Sequence, residues 1–329
     1  LEQQLFLLGN FKGMLNQSAV NLFKALDFYF NLDKEFMRLY AYAGMLSDQD
    51  TRQSGPLALK QEMGQLEVKF NQAAAFLEPE ILLLPEDVVL SFLDENKNLQ
   101  IYRQYLHDLF RRKIHTLNES GEKLIAGAGL MSDTAQEVYN IFSNAELPYK
   151  NIQLDDGREI TVDPVRYTLY RISDNRQDRI KVFQAFFGAL KEFERTFGTQ
   201  LYGEIKKNLF YKNARNYSSC LERALDNNNI PVQVYHNLIR NTNAHLQVLQ
   251  RYLRLRQKRL AVTELQYYDI YPPLVQDIEQ EYPYADSQNL IIQSLVNLGV
   301  KYREVLQQDF GQRLIDVYPN QGKRSGAYM

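Results

Sequence analysis

The chain has 329 residues, with 38 Lys and Arg against 40 Asp and Glu, a formal charge of −2, 45% hydrophobic and 24% charged residues, and one cysteine. This near-neutral balance gives no electrostatic basis for nucleic acid or an anionic membrane as partner. No run approaches the roughly 18 apolar residues of a membrane-spanning helix, and a single thiol excludes an intrachain disulfide framework and fits a reducing compartment.

Helical periodicity dominates from the start. The first 46 residues read as two helices rich in aromatics, among them Phe23, Phe28, Tyr29, Phe30, Phe36, Tyr40 and Tyr42. Leu66, Phe70, Ala73 and Leu77 recur at helical steps before Glu78, Pro79 and Glu80, and residues 94–98 interrupt the pattern. Thr134 and Glu137 have capping-box spacing. Between Ile152 and Val162 apolar and polar residues alternate around Asp156-Gly157, which predicts a β-hairpin closed by a tight primed turn. Ile180, Phe183, Phe187, Leu190, Phe193, Phe197 and Leu201 then form one stripe of a single long helix, and Val232 to Leu253 largely repeat the pattern. Asn227 to Pro231 separate two helices, with Pro231 suited to a first turn. Residues 267–284, rich in Tyr and Pro, read as a loop with short turns in which Glu279 and Glu281 face solvent. Long apolar stripes need partner helices, so the fold class expected is mainly α with one small hairpin near 150–162.

Chemistry-bearing residues are sparse. A helical zinc site needs two His at i and i+4 with a Glu between them as general base. His107, His115, His236 and His245 contain no such pair, and they read as surface or satisfied helix histidines, so no metal ligand is assigned within the chain. Cys220, at the start of an apolar helix, reads as a small buried residue, and the basic runs Arg111-Arg112-Lys113 and Lys206-Lys207 read as solvated helix faces. There is no G-x-S-x-G elbow, P-loop or dinucleotide fingerprint. The residues by themselves leave function open.

Several stretches form an ordered set. Asn144-Ala145-Glu146-Leu147-Pro148-Tyr149 precedes the hairpin, and Arg176 and Arg179 open an aromatic-rich helix. Arg215, Tyr217, Ser219, Glu222 and Leu225 come next, then Asn228 to Val232, Tyr235, Leu238 and Ile239. Tyr268-Asp269-Ile270-Tyr271 follow, and last Ile315, Asp316, Tyr318 and Asn320 lead into Gly322-Lys323-Arg324-Ser325-Gly326-Ala327-Tyr328. In order and spacing these resemble the oligoendopeptidase F family, relatives of thimet oligopeptidase, over roughly the last 190 residues. Met329 departs from the small polar residue usual there.

The resemblance implies a mostly helical zinc peptidase with a deep cleft that hydrolyses internal bonds of short unstructured peptides. Residues 1–95 would be a helical N-terminal domain, 96–165 the family's N-terminal module with the hairpin, and 166–329 the first part of the catalytic domain. The H-E-x-x-H ligands of the one Zn²⁺ would lie beyond Met329, leaving this portion inactive alone, and both ends read as cut from a longer protein. A strand would start near 324–329, where Gly326, Ala327 and Tyr328 bind substrate. Lys323 and Arg324 would meet a carboxylate of the peptide or of the protein, or else Gly322 and Gly326 serve a turn and the basic pair faces solvent. With no basic region or cleavage site in Leu1 to Leu8, a cytoplasmic location is expected. The competing reading is a non-catalytic helical binding or scaffold protein on the same fold.

Overall fold

Helix ends are set by side chains that satisfy the free amides of the first turn. The computed structural model describes every residue except 276–280, 313, 325 and 327–329. In chain order the α-helices begin with α1 (Glu2–Leu8), α2 (Ala19–Gln49), α3 (Ser54–Ala74), α4 (Leu77–Ile81), α5 (Glu86–Glu95), α6 (Arg103–Arg111), α7 (Glu119–Ser132) and α8 (Thr134–Ile141). Strands β1 (Asn151–Gln153) and β2 (Glu159–Thr161) follow. Then come α9 (Pro164–Tyr170), α10 (Arg176–Glu192), α11 (Glu194–Ala214), α12 (Cys220–Asp226), α13 (Val232–Ala244), α14 (Leu246–Arg259), α15 (Tyr284–Ser294) and α16 (Val300–Gly311). The fold is mainly α, and among the described residues no helix is long and apolar enough to cross a membrane.

Ser18 caps α2 by accepting from the Asn21 amide, Asn118 caps α7, and Asp163 caps α9 with Pro164 in the first turn. The capping box expected at Thr134 does not form. Helix α7 ends at Ser132, so Asp133 takes the cap position without a side-chain bond, and the Thr134 hydroxyl donates back to the Met131 carbonyl. Pro231 lies just before α13 and not in its first turn.

Two compact units divide the chain: residues 1–147 with 193–244, and residues 148–192 with 245–329. The stripe from Ile180 to Leu201 is two helices, broken at Phe193 (φ −110°, ψ 21°), and the pattern from Val232 to Leu253 is broken at His245 (φ −108°, ψ 7°). Both breaks fall where the chain passes from one unit to the other. Neither carries a Pro or Gly, so the periodicity runs through them unmarked.

In the first unit, α3 lies along both α2 and α7. A methyl group added at Gly129 of α7 would stand 3.3 Å from the Val68 side chain of α3, which shows how closely these helices approach. Leu8, Leu22, Leu26, Ile81, Leu93, Leu99, Leu106 and Leu109 are fully buried in one core. The aromatics of α2 pack on neighbouring helices: Phe30 stacks on Tyr102 at 5.1 Å and Phe36 on Phe70 at 5.6 Å.

The second unit contains the hairpin. Ile152 pairs with Ile160 in antiparallel register, and Leu154, Val162 and Val182 of α10 form a small core beneath it. The turn is not primed. Only Gly157 has a positive φ (87°), its amide donates to Leu154 O at 3.0 Å, and the Leu154 amide donates to Arg158 O at 2.9 Å. This is a three-residue connection with glycine at the left-handed position.

Alanine at Gly157 is expected to cost about 1–2 kcal/mol, because a Cβ is disfavoured at that φ. Gly188, inside α10 with open space where a Cβ would go, is the opposite case, and Gly188→Ala should stabilise by about 0.5–1 kcal/mol. Urea unfolding of both variants measures the two signs.

Candidate functional site

The segment closest to the expected substrate strand is built around a lysine. Gly322 takes φ 80°, and the Lys323 amide donates to Asn320 O at 3.2 Å, closing a turn. The Lys323 ammonium then donates to the carbonyls of Asp316 (2.7 Å) and Tyr318 (2.9 Å) and pairs with the Asp316 carboxylate at 3.1 Å. Of the partners open to Lys323, it takes a carboxylate of the protein. Gly326 has φ 107° with open space around it. Ala327 and Tyr328 lie outside the described residues, as does most of the strand expected at 324–329; Arg324 and Gly326 are not in a strand.

Several of the other matched residues belong to two ionic clusters, one in each unit. In the second unit Asp269, with no solvent exposure, accepts from Arg176 Nε (3.0 Å) and Nη2 (2.9 Å) and from Arg179 Nη2 (3.0 Å). Arg179, itself 3% exposed, also donates to the carbonyls of Tyr268, Ser173 and Asp174. From α14, Arg256 donates to the carbonyls of Asp269 and Pro272. Tyr268 lies beneath the Arg176 guanidinium at 5.0 Å and Tyr271 beneath Arg171 at 4.0 Å. Residues 267–269 are thus a short 3₁₀ turn held by guanidinium groups, within the stretch read as a loop. Burial raises the Asp269 carboxyl, but the Arg176 hydrogen bond, the Gln266 amide and Arg179 outweigh it and hold it below the ordinary value.

In the first unit Arg215, just after α11, makes a two-pronged pair with Glu122 of α7 at 2.8 Å on each oxygen. His115 Nδ1 lies 2.7 Å from the Arg215 carbonyl, an acceptor only, so that nitrogen carries the hydrogen. The His115 ring stacks on Tyr217 at 3.6 Å, and the Tyr217 hydroxyl donates to Asp226 at 2.6 Å. Burial and that bond push the Tyr217 hydroxyl up to about 12. Asp226 also takes Arg111, and Asp108 takes both Arg111 and Arg112, so these arginines are paired and not simply solvated. Lys207 likewise pairs with Glu204. Ser219 caps α12 by accepting from the Glu222 amide, and Glu222 returns to the Ser218 amide and hydroxyl. Cys220, the first residue of α12, is half-buried.

His115 is therefore a satisfied structural histidine, while His107, His236 and His245 stand exposed. Among the described residues no three His, Cys, Asp or Glu side chains come together as metal ligands, so a zinc ion does not fit the described donors. Glu122, Asp226 and Arg256 were missed from sequence, since partners such as Arg215 and Glu122 stand 93 positions apart and leave no local spacing signal.

Comparison with known proteins places these clusters. The family model described as "Peptidase family M3" matches residues 169–329, and that described as "Oligopeptidase F" matches residues 80–149. Oligopeptidase PepF of Bacillus subtilis is 35% identical over 98% of this chain and 48% of its own length. Group B oligopeptidase PepB of Streptococcus agalactiae is 33% identical over 97% of this chain and 53% of its own length. The crystal structure of oligoendopeptidase-F from Enterococcus faecium superimposes with a TM-score of 0.82 at 29% identity, covering 95% of this chain and 59% of that one. The chain spans about half the length of the curated relatives it matches.

Removing the Asp269 charge strands the buried Arg179 guanidinium and unpairs the partly exposed Arg176. Asp269→Asn is expected to lose about 3–5 kcal/mol in denaturant unfolding at neutral pH. Because the native value is depressed, the stabilisation is fully present above the ordinary carboxylate value of 3.8 and disappears as pH falls below it through the native value. Unfolding measured across that range should steepen for the unaltered protein relative to the variant.

Proposed function

Because the chain belongs to the oligoendopeptidase F branch of peptidase family M3, we propose that it is the amino-terminal portion of a zinc-dependent oligoendopeptidase. The protein hydrolyses internal peptide bonds of short unstructured peptides. The observation that supports this reading is the ordered set of matched residues, of which Arg176, Arg179 and Asp269 meet in one cluster and Arg215 and Tyr217 in the other. A catalytic Zn²⁺, held by residues outside this chain, would polarise the peptide carbonyl and activate water. This portion alone is inactive.

This chain supplies scaffold and part of the peptide cradle. Gly326, with Ala327 and Tyr328, contacts the substrate backbone, where main-chain hydrogen bonds give broad sequence tolerance. Lys323 acts indirectly, by fixing residues 316–323. Apolar side chains left exposed in each unit, including Leu201, Leu238 and Leu298, face the remainder of the peptidase. The three-part division at residues 95 and 165 belongs to the same proposal, as does a cytoplasmic location.

The test uses the full-length protein containing this chain. It should cleave short fluorogenic peptides but not a folded protein, lose activity with a chelator and regain it with zinc. Gly326→Ala should lower kcat/KM on the order of 10- to 100-fold through backbone displacement. Absence of hydrolysis with zinc supplied would leave the non-catalytic scaffold as the correct reading.

A further inference from the structure

The first unit holds a feature that the peptidase reading does not use. A partly open cavity of about 650 Å³ lies among α2, α3, α4, α6, α7, α8 and α11, within the size range of small-ligand sites. Five carboxylates line it, against only Lys60 and Arg215. Both cations already have a carboxylate partner: Arg215 is taken by both oxygens of Glu122, and Lys60 pairs with Asp48 at 3.5 Å.

Of the other four acids, Asp133 pairs with Lys207 at 3.3 Å, and the remaining three have few partners. Among the described residues Glu67 and Glu137 have no ion pair or side-chain hydrogen bond. Glu78 has one long hydrogen bond, from the Tyr105 hydroxyl at 3.5 Å. Burial pushes both Glu67 and Glu78 upward, the penalty of a carboxylate that water solvates poorly, and at Glu78 it outweighs the opposing pull of Arg112 and Arg215. Tyr29, Tyr40 and Tyr105 supply aromatic walls beside them. No three of the described acids converge on a point that would hold a metal ion. The charge to be neutralised is spread along the cavity, and the rings offer faces that attract ammonium groups.

We propose that this cavity binds an organic cation bearing primary ammonium groups on an alkyl chain, held by Glu67 and Glu78 against the tyrosine rings. Such a group comes either from a free polyamine or from a basic side chain of a peptide.

Calorimetric titration of the full-length protein with spermidine, and separately with a terminally blocked peptide containing lysine, distinguishes the two sources. At least one should bind with 1:1 stoichiometry. Glu67→Gln and Glu78→Gln should each weaken binding about tenfold. Neither should lower the thermal midpoint without ligand, because each removes a poorly solvated charge. Gly64 lines the cavity and has open space where a Cβ would go, so Gly64→Leu should block binding in a folded protein. Binding by neither probe overturns the proposal, as does affinity unchanged in all three variants.

Discussion

Asp269 has no contact with solvent, and a carboxylate there persists only if fixed charges surround it. Arg176 and Arg179 come from the first turn of α10, and Arg256 from the last turn of α14. Asp269 thereby ties the start of one helix through its carboxylate and the end of another through its carbonyl to the turn at 267–269. The small core of Leu154, Val162 and Val182 depends on the same helix α10. The second unit has few fully buried apolar side chains, so directional polar contacts specify much of its arrangement.

The first unit uses the same device with a larger core behind it. Arg215 and Glu122 connect the end of α11 to α7, and the run from His115 through Tyr217 and Asp226 to Arg111 joins α12 to α6. The charged residues that mark the family are thus mostly scaffold groups paired with one another. Their pairing holds helices at fixed spacing.

The hairpin was legible in sequence because the alternation from Ile152 to Val162 is local and its outcome is a local register. Its turn type was not, since Asp156-Gly157 suits a primed turn and equally a three-residue turn ending on a left-handed glycine. The helices were legible as apolar stripes, but the breaks at Phe193 and His245 were not, because no Pro or Gly marks them. The helix ends after α11 and α12 carry Asn216 and Asn229 at positive φ, a conformation asparagine tolerates. For the site, the turn from Asp316 to Lys323 lies within one stretch, and a carboxylate partner for Lys323 was among the readings. Asp269, Arg176 and Arg179 were each named, but nothing in the sequence showed that they meet, because contacts across about 90 positions leave no periodic trace.

The central claim is that the family-marking charges are coupled to one another as scaffold. A double-mutant cycle on Arg179 and Asp269 in urea unfolding, with Arg179→Met, Asp269→Asn and the pair, tests it most directly. Coupling of at least about 1 kcal/mol, with the double variant less destabilised than the sum of the singles, is the predicted result. Additivity within about 0.3 kcal/mol would contradict it.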